Sequence, residues 1–324
     1  MATASVPDLL RLFAVPVLLW AAYRDFRTRR VPNRTWYPLL GLAALCLAWE
    51  GWAAYTQPLP PFELFAFDAV LAVGILVPLA YAFWWVGAFG GADAKALMVL
   101  AVLFPSYPTY YFDGFALPLE GTALGVFPLT VVTNTVLVGA AYPAALAVRN
   151  VLAGRLSKVS LVGVYLPVER TVETPGKLLE TPAGYTRNGL DLDALRMYLR
   201  WRGLTLPEFR ANAEELRDPD TLPEDPNPPT DGAVRTDGGR EDPGVSEHDD
   251  PWGAAAFLEA IDGSAYGTTP EMLRDGLDVL ADPERERVWV SPGMPFLVPM
   301  ALGLVLALTY GDVLAALLRA LGLA

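Results

Sequence analysis

The feature that most constrains this chain is the separation of its charge from its apolar runs. Apolar stretches of bilayer-spanning length, which takes roughly 20 helical residues, fall at 5–23, 36–55, 66–86, 94–112, 125–148 and 296–318. One long polar stretch separates the last two. Residues 149–292 hold 16 bases and 27 acids, so they carry −11 of the total charge of −12. All other residues together hold 8 bases and 9 acids. The pattern predicts an all-α polytopic membrane protein: residues 1–148 form a membrane domain with transmembrane helices 1–5, 149–292 an acidic α+β insert, and 293–324 transmembrane helix 6.

Short-loop charges predict the orientation. Arg24, Arg27, Arg29, Arg30 and Arg34 follow the first run, Lys95 opens the fourth, and Arg149, Arg155 and Lys158 follow the fifth, whereas 56–65 and 113–124 have no base. The positive-inside rule then places the amino terminus outside the cell membrane and the insert in the cytosol. The arginines follow the first run instead of preceding it, so this run reads as an uncleaved helix and not a secretory signal.

Within the insert, residues 159–180 suggest short strands around Pro175-Gly176, and helices are expected at 189–202 (capped by Asn188), 253–262 and 270–281. Residues 208–250, with 14 acids, 4 bases and repeated Pro, Gly and Asp, read as a low-complexity, flexible segment. Arg outnumbers Lys 21 to 3, which with the acidity suggests a high-salt habitat.

Several function classes drop out. Phosphate binding needs clustered bases, so nucleic acid is not an expected partner. One cysteine, Cys46, and one histidine, His248, exclude a disulfide framework, a cysteine-rich zinc module and a His-based triad. Cys46 reads as a small apolar packing residue, and no metal or cofactor is expected.

Ionisable groups at membrane depth are costly and so mark candidate sites. Nine acids lie outside the insert. The predicted topology puts Asp8, Glu50, Glu63, Asp68, Asp113, Glu120 and Asp312 at or near the outer face, as solvated helix ends. Only Asp25 and Asp93 fall at the cytosolic face. Two carboxylates held close share a proton, so one can activate water while the other donates to a scissile carbonyl. Gly87, Gly90 and Gly91, with Ala88 and Ala92, leave the backbone before Asp93 uncovered, so another backbone can approach. Lys95 reads as an interfacial anchor, and Pro32-Asn33 as the start of the second span with Asn33 as its cap.

Asp25 followed by arginines and Pro32-Asn33, together with Gly90-Gly91-Ala92-Asp93 and the Pro295-Phe296 start of the last run, resembles the type IV prepilin peptidases. These are membrane aspartic proteases of the GxGD class, which includes the archaeal preflagellin peptidases. The resemblance implies a catalytic pair Asp25 and Asp93, supported by Gly90, Gly91, Ala92, Lys95, Pro32 and Asn33. It also implies cleavage of short basic signal peptides from pilin-like and flagellin precursors at the cytosolic membrane face, without cofactor. Ala92 stands where the family commonly has Gly. The four-cysteine cytosolic module of many bacterial members is absent, so a zinc module and N-methylation are not implied, and the archaeal branch fits better. Other readings are an intramembrane-cleaving GxGD protease, a transporter using the Thr130, Thr133, Asn134 and Thr135 patch, and an assembly scaffold. Oligomeric state is not set by the sequence.

Overall fold

The computed structural model describes residues 4–28, 30–56, 62–86, 89–122, 126–232, 250–261, 265–293 and 295–323. In chain order the elements are α1 (Val6–Arg11), α2 (Ala14–Thr28), α3 (Tyr37–Thr56), α4 (Phe62–Trp85), α5 (Gly91–Leu103), β1 (Tyr110–Phe112), β2 (Phe115–Leu117) and α6 (Phe127–Leu152). Then follow β3 (Val164–Pro167), β4 (Lys177–Leu178), β5 (Glu180–Thr181), β6 (Gly184–Tyr185), α7 (Leu192–Trp201), α8 (Leu206–Ala211) and α9 (Ala213–Leu216). The chain closes with α10 (Ala254–Glu259), α11 (Pro270–Ala281), β7 (Arg287–Ser291), α12 (Leu297–Thr309) and α13 (Val313–Ala320). It divides into two compact units, residues 1–142 with 295–324, and residues 143–294.

The first unit is helical. Four stretches are long and apolar enough to cross a membrane: Val6–Thr28, Asn33–Thr56, Phe62–Trp85 and Phe127–Leu152. Only 17% of the apolar window of α4 is buried, and Phe67, Val70 and Ile75 lie more than half exposed. A helix apolar on all sides whose surface the protein leaves bare is suited to lipid. Pro78 in α4 and Pro143 in α6 sit inside helices, which membrane helices tolerate.

Two predicted runs differ from expectation. The run 94–112 is helical only to Leu103. Pro105 cannot continue the helix, and Tyr110–Phe112 instead pair antiparallel with Phe115–Leu117. The run 296–318 breaks at Gly311, whose φ of +103° suits glycine. A Cβ there would lie 1.9 Å from the carbonyl oxygen of Glu120. Asp312 then caps α13 through its Oδ1, which accepts the Ala315 N–H at 2.9 Å.

Three acids expected as solvated helix ends are instead half-buried or buried. Arg11 has no exposed surface. Its Nε donates to the Leu103 carbonyl at 2.7 Å, and its guanidinium bonds Asp8 and Glu50. Ser106 adds a bond to Glu50, and the Tyr110 hydroxyl one to the Asp8 carbonyl. Asp312 is 6% exposed and also accepts from Thr122. Charge counting from sequence cannot see that Arg11 supplies the buried counter-charge.

The second unit has a three-stranded sheet in the order β3-β7-β4, antiparallel throughout. Alternation in β7 sets its two faces. Val288 and Val290 enter the main core with Leu195, Tyr198, Leu273 and Leu277, while Trp289 packs with Val159, Leu179 and Tyr165. Gly176 at the Pro-Gly break has φ +124°, and a Cβ there would lie 1.8 Å from the Ser291 carbonyl oxygen. The helix expected at 189–202 is α7, but Asp191 caps it, not Asn188. The Asp191 carboxylate accepts the Asp193 N–H at 2.9 Å, in the geometry an N-cap requires.

Of the stretch 208–250 expected to be flexible, residues 208–232 fold. The Phe209 side chain is fully buried. Arg210 donates to the carbonyls of Leu280 in the last turn of α11 and of Asp282 and Arg285 just beyond it, where a cation and free carbonyls complement each other. Composition averages over such anchors. Residues 233–249, with His248, lie outside the described residues, as do Gly87 and Ala88.

Burial pushes the Asp191 carboxyl up to about 6 from its ordinary 3.8. The folded chain therefore keeps a proton there that the unfolded chain has released, so Asp191 favours folding at low pH. That contribution, at most about 3 kcal/mol, is lost as pH rises from 4 to 6. Asp191→Asn keeps the acceptor for Asp193 and should flatten this dependence. Amide exchange at Leu195 and Tyr198, corrected for its intrinsic pH dependence, checks it.

Candidate active site

Each carboxylate of the predicted pair is placed by its helix. Asp25 lies in the last turns of α2 and is 9% exposed. The apolar residues Ala14, Leu18, Ala21 and Ala22 turn the same helix into the core. Asp93 is the third residue of α5, at the helix end where backbone N–H groups have no partner within the helix. Its Oδ2 accepts the N–H of Gly90, the cap residue, at 3.2 Å. The positive end of the helix dipole favours a charged carboxylate at this position.

Gly90 is constrained by that carboxylate. A Cβ on Gly90 would sit 2.8 Å from Asp93 Oδ2, so the carboxylate would have to shift from this position to admit it. At Gly91 a Cβ would meet only Trp84 Nε1 at 3.6 Å and Lys95 Nζ at 3.9 Å, ordinary contacts. Of the two glycines, only Gly90 bears on where the Asp93 carboxylate sits. Ala92 is half-buried against the core.

Lys95 is exposed and donates from Nζ to Asn33 Oδ1 at 2.7 Å. Asn33 therefore does not cap the second span. It opens a 3₁₀ turn, Asn33–Thr35, whose cap position is Pro32, with no side-chain cap bond. Its amide instead ties this turn to the first turn of α5. Nearby, the Thr28 hydroxyl and the Arg24 guanidinium both reach the Arg30 carbonyl.

These ties fix how the two acids lie along the unit. The Arg11–Leu103 bond joins the start of the first span to the end of α5. The Lys95–Asn33 bond joins the start of α5 to the turn after α2. The two helices are thus antiparallel, with matching ends. Asp25 lies about 21 Å of helix rise beyond Arg11, and Asp93 about 15 Å before Leu103. Both carboxylates therefore belong to one end of the unit, the end that also holds Pro32, Asn33, Gly90, Gly91, Ala92 and Lys95. Phe296, at the cap of α12, stacks near Phe89 with ring centroids 5.1 Å apart, which brings the start of the last span to the same end.

In the polar patch of the fifth run, Thr133, Asn134 and Thr135 are taken up by hydrogen bonds within the helical unit. Asn134 bonds the Gly311 carbonyl and the Val313 N–H, and Thr135 bonds back to the Val131 carbonyl. Cys46 is buried in the core. Among the described residues, no group of three or more His, Cys, Asp or Glu is placed to hold a metal ion. The Arg11 centre, which sequence reasoning missed, lies at the opposite end from the two acids.

Comparison with known proteins identifies two segments. Residues 12–144 match the type IV leader peptidase family. Residues 262–313 match the archaeal peptidase A24 C-terminus of type II. Together these segments cover more than half of the chain. A protein of Methanothermobacter thermautotrophicus named prepilin peptidase EppA is 34% identical over 136 residues, which are 41% of this chain and 33% of that relative. The chain thus spans about a third of the length of the relative it matches.

Proposed function

We propose that this chain, whose residues 12–144 match the type IV leader peptidase family and 262–313 the archaeal peptidase A24 C-terminus, is a membrane aspartic endopeptidase of that family. It removes short basic signal peptides from pilin-like and flagellin precursors. What supports this reading is the pair of ties, Arg11 to the Leu103 carbonyl and Lys95 to Asn33, which put Asp25 and Asp93 toward the same end of the helical unit. In this reading Asp93, at the helix N-terminus, is the base. Its carboxylate takes a proton from water, and the water oxygen bonds the scissile carbonyl carbon. The less exposed Asp25 supplies a proton to the carbonyl oxygen. Collapse of the tetrahedral intermediate re-forms C=O and breaks the C–N bond: one hydroxyl proton returns to Asp25, and the proton held by Asp93 passes to the leaving amine. Gly90 leaves room for the Asp93 carboxylate, while Lys95 and Asn33 hold the turn after α2 against α5.

The membrane frame follows the same reading. The four long apolar stretches span the bilayer. The 13-residue helices α5 and α12 complete six spans, α5 as a short internal span walled by α3 and α4. The arginines of 24–34 place the acidic end at the cytosolic face and the amino terminus outside. Residues 149–292 form the cytosolic insert.

The test is to mix membranes containing the chain with a pilin-type precursor and map the cut. Cleavage before the hydrophobic segment supports the proposal. Cleavage within that segment favours an intramembrane protease, and an intact precursor rejects the peptidase reading. Gly90→Ala should slow cleavage about 10–100-fold by displacing the Asp93 carboxylate, while Gly91→Ala should stay near wild type. Equal effects would mean that Gly90 has no special relation to Asp93.

A further inference from the structure

The end of α6 and the loop after it present an unusual surface. Leu152 is 83% exposed, Leu156 77%, Leu161 59% and Val162 42%. Exposed apolar groups on a floppy loop would mean little, but this loop is built. Asn150, 1% exposed, donates to the carbonyls of Ser160 and Gly163. The Ser160 hydroxyl accepts the Ser157 N–H and donates to the Arg155 carbonyl. Val159 is drawn inward against Leu179 and Trp289. The fold thus spends its polar bonds on holding four large apolar side chains outward.

Charge sorts the same way. The stretch 143–168 contains Arg149, Arg155 and Lys158 and no acid, in an insert whose net charge is −11. Arg149 and Lys158 are exposed, and the Arg155 guanidinium lies over the Tyr165 ring, 5.8 Å from its centre. Continuity adds a third observation. α6 is a candidate membrane helix of 26 residues, about 39 Å long, against a hydrocarbon thickness of about 30 Å. Its last turns therefore reach the headgroup layer together with the loop.

We propose that residues 148–162 are an interfacial anchor, with Leu152, Leu156, Leu161 and Val162 set into the acyl boundary and Arg149, Arg155 and Lys158 contacting anionic lipid headgroups. Apolar side chains flanked by bases are the chemistry by which a peripheral segment holds an anionic lipid surface. Nothing in this inference depends on peptidase activity.

The test uses the full chain with Cys46→Ala and single cysteines at Leu156→Cys or Leu161→Cys, labelled with an environment-sensitive fluorophore. Glu214→Cys on the exposed side of α9 serves as the water-facing control. The protein is reconstituted in phosphatidylcholine vesicles with and without phosphatidylglycerol, each with and without a spin-labelled quencher lipid. The expected result is blue-shifted emission and several-fold stronger lipid quenching at 156 and 161 than at 214. Quenching should weaken without phosphatidylglycerol and in the Arg149→Gln/Lys158→Gln variant. Labels at 156 and 161 as water-exposed as at 214 would overturn the anchor. Quenching indifferent to phosphatidylglycerol and to the two charge changes would overturn the anionic recognition.

Discussion

Asp93→Asn should lower precursor cleavage by about 10²–10⁴-fold, and Asp25→Asn by a similar factor, the range that a positioned acid or base contributes. Asparagine preserves shape at both positions. At 93 it still offers an oxygen to the Gly90 N–H, the bond that the carboxylate makes at 3.2 Å. At 25 it fills the same buried volume without a charge. Both variants should therefore insert and fold as the parent does, which protease protection and melting in detergent can verify. A large loss of activity with unchanged folding separates a chemical role from a structural one.

Arg11→Met should cost about 3–5 kcal/mol of stability, the penalty for stranding buried charge. Arg11 has no exposed surface and serves three acceptors: Asp8, Glu50 and the Leu103 carbonyl. Methionine replaces much of its volume but leaves both acids without their counter-charge. The combined variant Asp8→Asn/Arg11→Met/Glu50→Gln should be more stable than Arg11→Met alone, because no charge remains stranded. Denaturation in mixed micelles gives both values. If Arg11→Met unfolds at the parent's midpoint, the cluster is not holding α1, α3 and the end of α5 together.

Much of this was legible in the sequence. Spans of Leu, Val and Ala announce themselves by length, and Asp93 stands out because small residues precede it. The Pro175-Gly176 break marked a real close approach of backbones. The readings that missed share a cause. Asp8 is one helical turn from Arg11, but Glu50 and the Leu103 carbonyl are far from both along the chain, and only packing shows that they close one buried cluster. The 94–112 and 296–318 runs are apolar enough to read as single spans, yet their helices stop before Pro105 and Gly311. β7 escaped notice because a five-residue strand owes its existence to partners more than a hundred residues away. The distinction between Gly90 and Gly91 likewise needed the direction of the Asp93 side chain.

The most direct test of the paired carboxylates is a cleavage cycle on one pilin-type precursor with four proteins: the parent, Asp25→Asn, Asp93→Asn and the double variant, at equal membrane insertion. Two groups that work as one unit are not additive. The account predicts that each single variant falls to nearly the same residual rate and that the double variant is no slower. A single variant that keeps the parent's rate, or losses that multiply in the double variant, would contradict it.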